Sequence, residues 1–339
     1  MTNENAQRIV LASRPKGKPT EGDFRLERLP VPKPGAQELL LRTLYLSLDP
    51  YMRGRMDSAK SYAPSVAIGD VMTGECIAEV IESHHAGYAV GDIVLAHSGW
   101  QTHAISDGGG VRKIDSAAAP LTTRLGVLGM PGFTAYSGMR VIGQPKPGET
   151  VVVAAASGPV GATVGQLARL AGARAVGIAG GPEKCAFVRN ELGFDSSVDH
   201  QAPDFVERLA EACPNGVDVY FENVGGAIWR AVSPLLNRFA RVPVCGLVGQ
   251  FGVSEFPGPD RLPGTMRDVL SKSLTIRGFI NYDFAELYPD FLREIGARVK
   301  SGEIRYKEDI VDGLESTPTA FIGMLNGRNF GKLLVRVAS

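Results

Sequence analysis

Residues 150–179 carry the clearest pattern of apolar and polar positions in this chain. The run Val151–Val153 is β-branched throughout, which is typical of a strand buried on both faces. Apolar residues then recur at helical spacing from Val164 to Ala171, and Gly172 offers a stop before a second apolar run. The segment therefore predicts a strand, a helix and a second strand.

From about Gly129 onward the same alternation continues. Strands are predicted at Val217–Phe221, Arg241–Leu247 and Leu274–Phe279. Helices are predicted around Lys184–Glu191, Ala202–Ala212, Ala227–Leu235 and Tyr288–Ser301. This order predicts an α/β fold with a doubly wound parallel sheet and right-handed crossovers. The stretch 253–268 is rich in proline and glycine and is predicted to be a mobile lid over a pocket.

The first 127 residues have a different pattern, with short apolar runs cut by Pro, Gly and Asp. Strands are predicted at Leu39–Leu46, Thr73–Ile81 and Asp92–Ala96, which indicates an irregular, mainly β domain. The C-terminal end is strand-like again, at Lys307–Val311 and Lys332–Val337, around a helix at Pro318–Leu325. We therefore expect residues 1–127 and 303–339 to form one domain and 128–302 another. The ligand is expected in the cleft between them.

Composition narrows the classes of function. The chain has 339 residues, 44% of them hydrophobic and 21% charged, with a formal net charge of zero. It has no basic stripe and no apolar run of membrane-spanning length, which argues against nucleic acid and membrane as partners. The N-terminus has no hydrophobic signal core, so a cytoplasmic location is expected by default. Its four cysteines stand singly, without the spacing of a zinc site.

The turn after the first strand of the alternating region has the form Ala156-x-Gly158-x-x-Gly161. Glycines let a backbone approach a dinucleotide pyrophosphate, and the N-terminus of the next helix offers free N–H groups. In this strand–turn–helix context the motif predicts a nucleotide cofactor, although an α/β crossover without ligand has the same pattern. An NAD-specific fold usually carries an acid at the tip of the second strand, where this chain has Gly180-Gly181. Lys184 follows in the next helix and is placed to bind a 2′-phosphate as a cation, so NADP(H) is preferred to NAD(H). The alternative for Lys184 is a solvated lysine in the first turn of the helix.

Seven motifs, in order, then resemble those of the medium-chain dehydrogenase/reductase superfamily, and within it the zinc-independent alkenal/one reductases. This group includes leukotriene B4 12-hydroxydehydrogenase/prostaglandin reductases and curcumin reductases. The motifs are Asp49-Pro50-Tyr51-Met52-Arg53-Gly54, Ser61-Tyr62-Ala63-Pro64, Gly129-Met130-Pro131-Gly132-Phe133-Thr134-Ala135-Tyr136, Ala155-Ala156-Ser157-Gly158-Pro159-Val160-Gly161, Gly180-Gly181-Pro182-Glu183-Lys184-Cys185, Tyr220-Phe221-Glu222-Asn223-Val224-Gly225-Gly226 and Asn329-Phe330-Gly331-Lys332.

The resemblance implies a Rossmann-type nucleotide domain inserted in a GroES-like catalytic domain. It implies that Met130 and Thr134 lie beside the nicotinamide and its ribose, and that Gly181 and Lys184 meet the 2′-phosphate. Asn223 and Asn329 would bond the cofactor from the nicotinamide side, although either asparagine alone is a common turn former. His200 stands where relatives have Tyr and would lie near the adenosine, or on the surface. The phosphate turn would be formed by Ser157, Gly158, Val160 and Gly161.

Two departures from related enzymes bear on the chemistry. Zinc alcohol dehydrogenases carry Gly-His-Glu where this chain has Thr73-Gly74-Glu75, so no metal is expected. The tyrosine that some relatives carry before the last strand of the sheet is replaced by Ser271. The proton donor is thus left open among Tyr62, Tyr51, the cofactor ribose and water. Tyr62 is the favoured donor. The alternative for Tyr62 is a structural role, as an amphipathic loop residue that covers apolar surface.

The expected reaction is hydride transfer from NADPH to the β-carbon of an α,β-unsaturated ketone or aldehyde, followed by protonation of the α-carbon. Two alternatives remain, a quinone oxidoreductase and an NADPH-binding protein without turnover. Relatives usually pair edge strands of their cofactor domains, so a homodimer is expected. Arg53 has two interpretations, a contact to substrate or cofactor and a structural ion pair.

Overall fold

The computed structural model describes residues 5–59, 61–115, 119–252 and 259–338. The chain divides into two compact units. Unit 1 comprises the residues up to Leu125 and those from Glu308 onward, and unit 2 is Gly126–Lys307. The described part contains no helix that combines the length and the apolar character needed to span a membrane.

Strands and helices are numbered in chain order. The strands are β1 (Ala6–Leu11), β2 (Phe24–Leu29), β3 (Leu39–Ser47), β4 (Cys76–Ser83), β5 (Ile93–Ala96), β6 (His103–Ser106), β7 (Arg112–Lys113), β8 (Thr150–Val153), β9 (Arg174–Ala179), β10 (Ser196–Asp199), β11 (Val217–Phe221), β12 (Leu236–Val244), β13 (Thr275–Gly278), β14 (Glu308–Asp312) and β15 (Lys332–Arg336). The α-helices are α1 (Tyr51–Arg55), α2 (Met130–Gly138), α3 (Pro159–Leu170), α4 (Pro182–Asn190), α5 (Phe205–Ala212), α6 (Gly226–Val232), α7 (Leu262–Lys272), α8 (Tyr288–Lys300) and α9 (Thr317–Leu325).

Unit 2 is built on a parallel sheet, as the alternating pattern predicts. The strand order among the described residues is β10-β9-β8-β11-β12-β13. The central strand β8 is fully buried, in agreement with its β-branched run. The doubly wound α/β fold expected from the sequence is confirmed. The strand predicted at 241–247 begins earlier, at Leu236, because its first half carries polar and exposed side chains that hide it from the hydrophobic pattern.

The lid expected at 253–268 is only partly open to comparison. Residues 253–258 lie outside the described ranges, and residues 262–268 belong to helix α7. The mobile lid itself stays a prediction. Pro263 lies in the first turn of the helix. Proline is tolerated there, since the first-turn N–H has no partner within the helix.

Unit 1 is mainly β, as expected. Its larger sheet runs β14-β15-β3-β4-β5-β7 in the described residues, with β6 paired to β3, and β1 and β2 form a separate antiparallel pair. Strands β14 and β15, from the C-terminal segment, join this sheet through β3. The aromatic rings of Phe24, Trp100 and Phe321 contact one another in the core and bring residues from three distant parts of the chain together.

A cluster of buried charges joins the C-terminal segment of unit 1 to the start of helix α1. Lys332 Nζ lies 2.6 Å from Asp49 Oδ1 and donates to the Leu48 carbonyl at 2.8 Å, and both charged side chains are almost fully buried. Ser47 Oγ donates to the other oxygen of Asp49. Glu75 lies in the same cluster, with its Oε1 3.8 Å from the Arg112 guanidinium. Burial first, and the Asp49 carboxylate second, raise the pKa of Glu75 from 4.5 to about 7.

This pKa predicts an unusual dependence of stability on pH. The folded chain binds the Glu75 proton more tightly than the unfolded chain does, so the stabilisation is fully present below pH 4.5 and is lost as pH rises through 7. Replacing the carboxyl by an amide in Glu75→Gln removes the titration. As the pH rises from 5 to 8, we expect the free energy of unfolding of E75Q to increase by about 3 kcal/mol relative to that of wild type. Urea unfolding at several pH values measures this difference.

The matched control is Glu211→Gln, which alters an exposed carboxylate on helix α5. It should shift the free energy of unfolding equally at all these pH values. A constant difference between wild type and E75Q across the range would contradict the assignment.

Candidate active site

The glycine turn of unit 2 is held open by the absence of two side chains. A β-carbon at Gly161 would lie 2.5 Å from the Ala155 carbonyl oxygen and 2.8 Å from Ala156 Cα, both of them backbone atoms. Ala155 itself has φ +50°, a left-handed conformation that costs free energy in a residue with a β-carbon. At Gly158, a β-carbon would be 3.2 Å from the same carbonyl. The turn therefore requires glycine at 161 and favours it at 158.

Helix α3 begins directly after this turn. Pro159 at its start has no N–H, and no described side chain caps it. The N–H groups of Val160 and Gly161 belong to the first turn, which has no partners within the helix, whereas Ala162 already bonds to the Gly158 carbonyl. Ser157 is buried directly before this end. The helix thus presents N–H groups and a positive dipole end, which suits a pyrophosphate.

Asn223 supports this turn from within the chain. Its Nδ2 donates to the Ala154 carbonyl at 2.8 Å, and its Oδ1 accepts from Cys245 Sγ at 3.0 Å. The resemblance assigns Asn223 to the cofactor, whereas its two polar side-chain atoms here join the ends of β8, β11 and β12. Burial raises the pKa of the Cys245 thiol, so Cys245 stays protonated and acts as a hydrogen-bond donor.

Glu222 is a buried residue that sequence reasoning missed. Its Oε1 accepts from the N–H groups of Val224 and Gly225, each at 2.7 Å, and from the Tyr220 hydroxyl at 2.9 Å. Burial raises the pKa of Glu222 in spite of these bonds. The carboxyl shapes the Gly225-Gly226 turn at the end of β11. The only sequence signal was an acid directly before Asn-x-Gly-Gly at a strand end.

The end of β9 brings the residues expected at the 2′-phosphate together. His200 and Gln201 lie across Gly180, since a β-carbon there would come within 3.0 Å of His200 Nε2 and 2.9 Å of Gln201 Nε2. Gly181 has φ +84°, and its N–H donates to Asp199 Oδ1 at 2.8 Å. Lys184 lies in the first turn of α4, which begins at Pro182.

Asp199 organises this group of residues and was not predicted. Burial would raise its pKa, but the N–H groups of Gly181 and Gln201 hold it below the usual value. The Asp199 carboxylate is therefore an acceptor for backbone groups. Because the Asp199 carboxylate already accepts from the Gly181 N–H, the contribution of Gly181 to this turn is its backbone conformation.

Met130 and Thr134 lie one turn apart on helix α2. The Thr134 hydroxyl donates to the Met130 carbonyl at 2.9 Å and lies 3.7 Å from the Met130 sulfur. Helix α2 contacts the sheet closely at Gly138, where a β-carbon would lie 2.7 Å from the Phe221 ring. The hydrophobic pattern contains no helical signal here, because Pro131 and Gly132 interrupt it.

In unit 1, Tyr51 and Tyr62 flank one arginine. The Arg55 guanidinium lies 4.4 Å from the centre of the Tyr62 ring and 5.6 Å from that of Tyr51. Arg53, whose role the sequence left open, is a structural residue. It is 2% exposed, pairs with Asp57 at 2.7 Å and donates twice to the Gly17 carbonyl.

Asn329, also in unit 1, precedes β15. Its Nδ2 donates to the Gly331 carbonyl at 2.8 Å, so the side chain stabilises its own turn. It lines a groove of about 590 Å³ with Asp309 and Arg328, among others. In the described ranges, no group of three or more His, Cys, Asp or Glu side chains could hold a metal ion.

Comparisons with known proteins place the chain in a family. Residues 7–114 match the model described as N-terminal domain of oxidoreductase, and residues 159–297 match the one described as zinc-binding dehydrogenase. The chain is 55% identical over 334 residues to the NADPH-dependent curcumin reductase of Escherichia coli, covering 98% of this chain and 97% of that protein. It is 38% identical to a tobacco (Nicotiana tabacum) 2-alkenal reductase (NADP(+)-dependent), covering 98% and 97%. This chain belongs to the zinc-independent alkenal/one reductase group of the medium-chain dehydrogenase/reductases.

Solved structures agree with this membership. The crystal structure of CurA in complex with NADPH from Vibrio vulnificus superposes with a TM-score of 0.95 at 50% identity, and the match covers 98% of this chain and 99% of that one. The resemblance inferred from seven sequence motifs is thereby confirmed for this reductase group.

The glycine turn generates a prediction about dinucleotide affinity. In Gly161→Ala the new β-carbon meets backbone atoms on the turn, which must move away from helix α3. We expect the affinity for NADPH to fall at least tenfold, roughly the loss of one charge-assisted hydrogen bond. Fluorescence titration with NADPH measures it, and circular dichroism checks the fold.

The control is Gly296→Ala, the same substitution inside helix α8, where a β-carbon meets nothing within 4 Å. It should leave NADPH affinity unchanged. Equal affinities for G161A and wild type would show that the turn does not carry the cofactor.

Proposed function

We propose that this chain is an NADPH-dependent reductase of the carbon–carbon double bond of α,β-unsaturated ketones and aldehydes. The observation that carries the proposal is the glycine-limited turn before helix α3, combined with membership of the alkenal/one reductase group. NADP(H) is the cofactor, and when bound it supplies the hydride.

The residues of unit 2 have the binding role in this proposal. Val160 and Gly161 offer backbone N–H groups to the pyrophosphate, next to Ser157 and Gly158. Met130 and Thr134 on helix α2 are proposed to bind beside the nicotinamide. Asn223 acts by holding the Ala154 carbonyl and with it the start of the turn.

The 2′-phosphate is proposed to bind at the end of β9. Lys184 and His200 supply donors there, and the left-handed Gly181 keeps the backbone clear of the phosphate. A dianionic phosphate needs a cation, and a lysine serves as a point charge. Asp199 Oδ1 accepts from the Gly181 and Gln201 amides and so holds the backbone of this turn.

The chemistry at the substrate requires a hydrogen-bond donor at the carbonyl oxygen, because negative charge develops there as the hydride reaches the β-carbon. Tyr62 is proposed as this donor, with Tyr51 shaping the pocket. Tyr62 is 59% exposed, and in the part of the chain that the structure describes no hydrogen bond reaches its hydroxyl. Asn329 is proposed to contact the cofactor, from the turn that its own side chain stabilises.

The test is NADPH oxidation with a simple enone and identification of the product. We expect a saturated ketone, and much slower turnover with NADH because it lacks the phosphate that Lys184 and His200 would bind. Deuteride from labelled NADPH should appear on the β-carbon. An allylic alcohol as sole product, or reduction of quinones without any of enones, would overturn the proposal. NADPH binding with no turnover would indicate a non-catalytic protein.

We also propose that the chain forms a homodimer through the free edge of its parallel sheet. Strand β13 ends the described sheet, and all four of its residues are exposed. Ile276 on β13 is an exposed apolar residue, and helix α7, which contacts the neighbouring strand β12, carries three more, Leu262, Met266 and Leu270. An unpaired strand edge with apolar neighbours pairs readily with a second copy about a twofold axis.

Light scattering should accordingly give twice the chain mass of 36.1 kDa. Ile276→Lys should place a charge against its symmetry mate and shift the mass toward the monomer. Val206→Lys, at an exposed position on α5, should leave the mass unchanged. A monomeric wild-type chain would refute the dimer.

A further inference from the structure

Arg55 is a buried cation without a carboxylate partner in the described ranges. It lies at the end of helix α1 and is 8% exposed. No described carboxylate is within ion-pair distance of it, whereas its neighbour Arg53 pairs with Asp57. A buried charge is costly unless something else stabilises it. For Arg55 this role falls to the two tyrosine rings and one carbonyl oxygen.

The same arginine fastens the segment that carries Tyr62. Its Nη1 donates to the Ala63 carbonyl at 3.0 Å, and its own carbonyl accepts from the Val66 N–H at 2.8 Å. Arg14 adds a third link by donating to the carbonyls of Met56 and Val66. The segment is thus bonded to the end of α1 at Ala63 and Val66, directly after the tyrosine.

The contact with the ring fixes the direction of the side chain. The Arg55 guanidinium lies 4.4 Å from the ring centre and so holds one face of the Tyr62 ring, while the residue as a whole is 59% exposed. An exposed tyrosine without such a contact would sample several rotamers. Holding a donor in one geometry before the substrate arrives lowers the barrier of the step that uses it.

We propose that Arg55 is a positioning residue of the reductase, which holds the Tyr62 hydroxyl for the substrate carbonyl through a cation–π contact and the Ala63 carbonyl. The proposal rests on the proposed function, in which Tyr62 is the donor. Arg55 does not itself touch the substrate. Its effect therefore appears only through Tyr62.

The experiment is a double-mutant cycle of Arg55→Gln and Tyr62→Phe on enone reduction. We expect R55Q alone to lower kcat roughly three- to thirtyfold, the range of one cation–π contact, with the KM for NADPH unchanged. Tyr62→Phe should lower kcat at least as much. Because Arg55 acts through the hydroxyl, the double variant should be no slower than Y62F. Arg55→Lys keeps the charge and should recover part of the loss.

Arg238→Gln is the matched control, since it removes another arginine that lies over an aromatic ring, 4.8 Å from the centre of Phe239 in unit 2. It should leave kcat unchanged. If the losses of R55Q and Y62F multiply, Arg55 acts independently of Tyr62 and the proposal is wrong. An unchanged kcat in R55Q overturns it as well.

A second readout separates this inference from the proposed function. Fluorine NMR of the chain labelled with 3-fluorotyrosine, assigned with Y62F and Y51F, reports the Tyr62 ring directly. R55Q should shift and narrow the Tyr62 resonance, and R238Q should not. If wild type reduced no enone, the proposed function would fail and with it the catalytic part of this inference. An unmoved Tyr62 resonance in R55Q would refute the positioning whatever the activity.

Discussion

The geometry of unit 1 depends on one buried ion pair, between Lys332 and Asp49. The two residues are far apart in sequence, and each is almost entirely shielded from water. Such a pair is tolerated only when further hydrogen bonds complete it, as Leu48 and Ser47 do here, and removing one partner strands a buried charge at about 3–5 kcal/mol. The pair therefore fixes where the C-terminal segment meets the start of helix α1.

Residues with proposed functions lie directly beside that junction. Tyr51 follows Asp49 by two residues, and Asn329 precedes Lys332 by three. The pair thus sets the position of both chain segments without touching a substrate. Glu75 adds a group whose pKa is raised to about 7, because burial and the nearby Asp49 carboxylate both disfavour its charged form. A neutral Glu75 leaves Asp49 and Lys332 as a balanced pair.

Unit 2 reaches a comparable rigidity by a different route. Its strand ends are joined by side chains that bond to the backbone: Asn223 to the Ala154 carbonyl, Glu222 to the turn after β11, and Asp199 to Gly181. These bonds are made within the chain, and the N–H groups of Val160 and Gly161 in the glycine turn remain for a ligand. The polar side chains at the strand ends shape the backbone, and the backbone N–H groups are the ones proposed to bind the pyrophosphate.

The sequence predicted the parts of the molecule that follow from short-range pattern. The β-branched run Val151–Val153 and the glycine turn identified the first strand and its helix, and seven motifs identified the family. Helix α2 escaped because Pro131 and Gly132 suppress the helical signal, and tertiary contacts at Gly138 override it. The roles of Glu222 and Asp199, and the bonds of Asn223 within the chain, escaped because they depend on which groups face the side chain in the folded chain. No spacing in one sequence contains that information.

The two arginines of helix α1 also show that a sequence motif does not reveal the contacts of its side chains. Arg53 and Arg55 are both buried and differ in sequence position by two residues, yet their partners differ in kind. The charge of Arg53 is neutralised by Asp57, and its guanidinium donates to the Gly17 carbonyl, so all these contacts stabilise the fold. Arg55 keeps its charge against two aromatic faces, which are weaker partners than a carboxylate. The Arg55 guanidinium thus holds the loop through the Ala63 carbonyl and also lies against the Tyr62 ring, as the proposed positioning role requires.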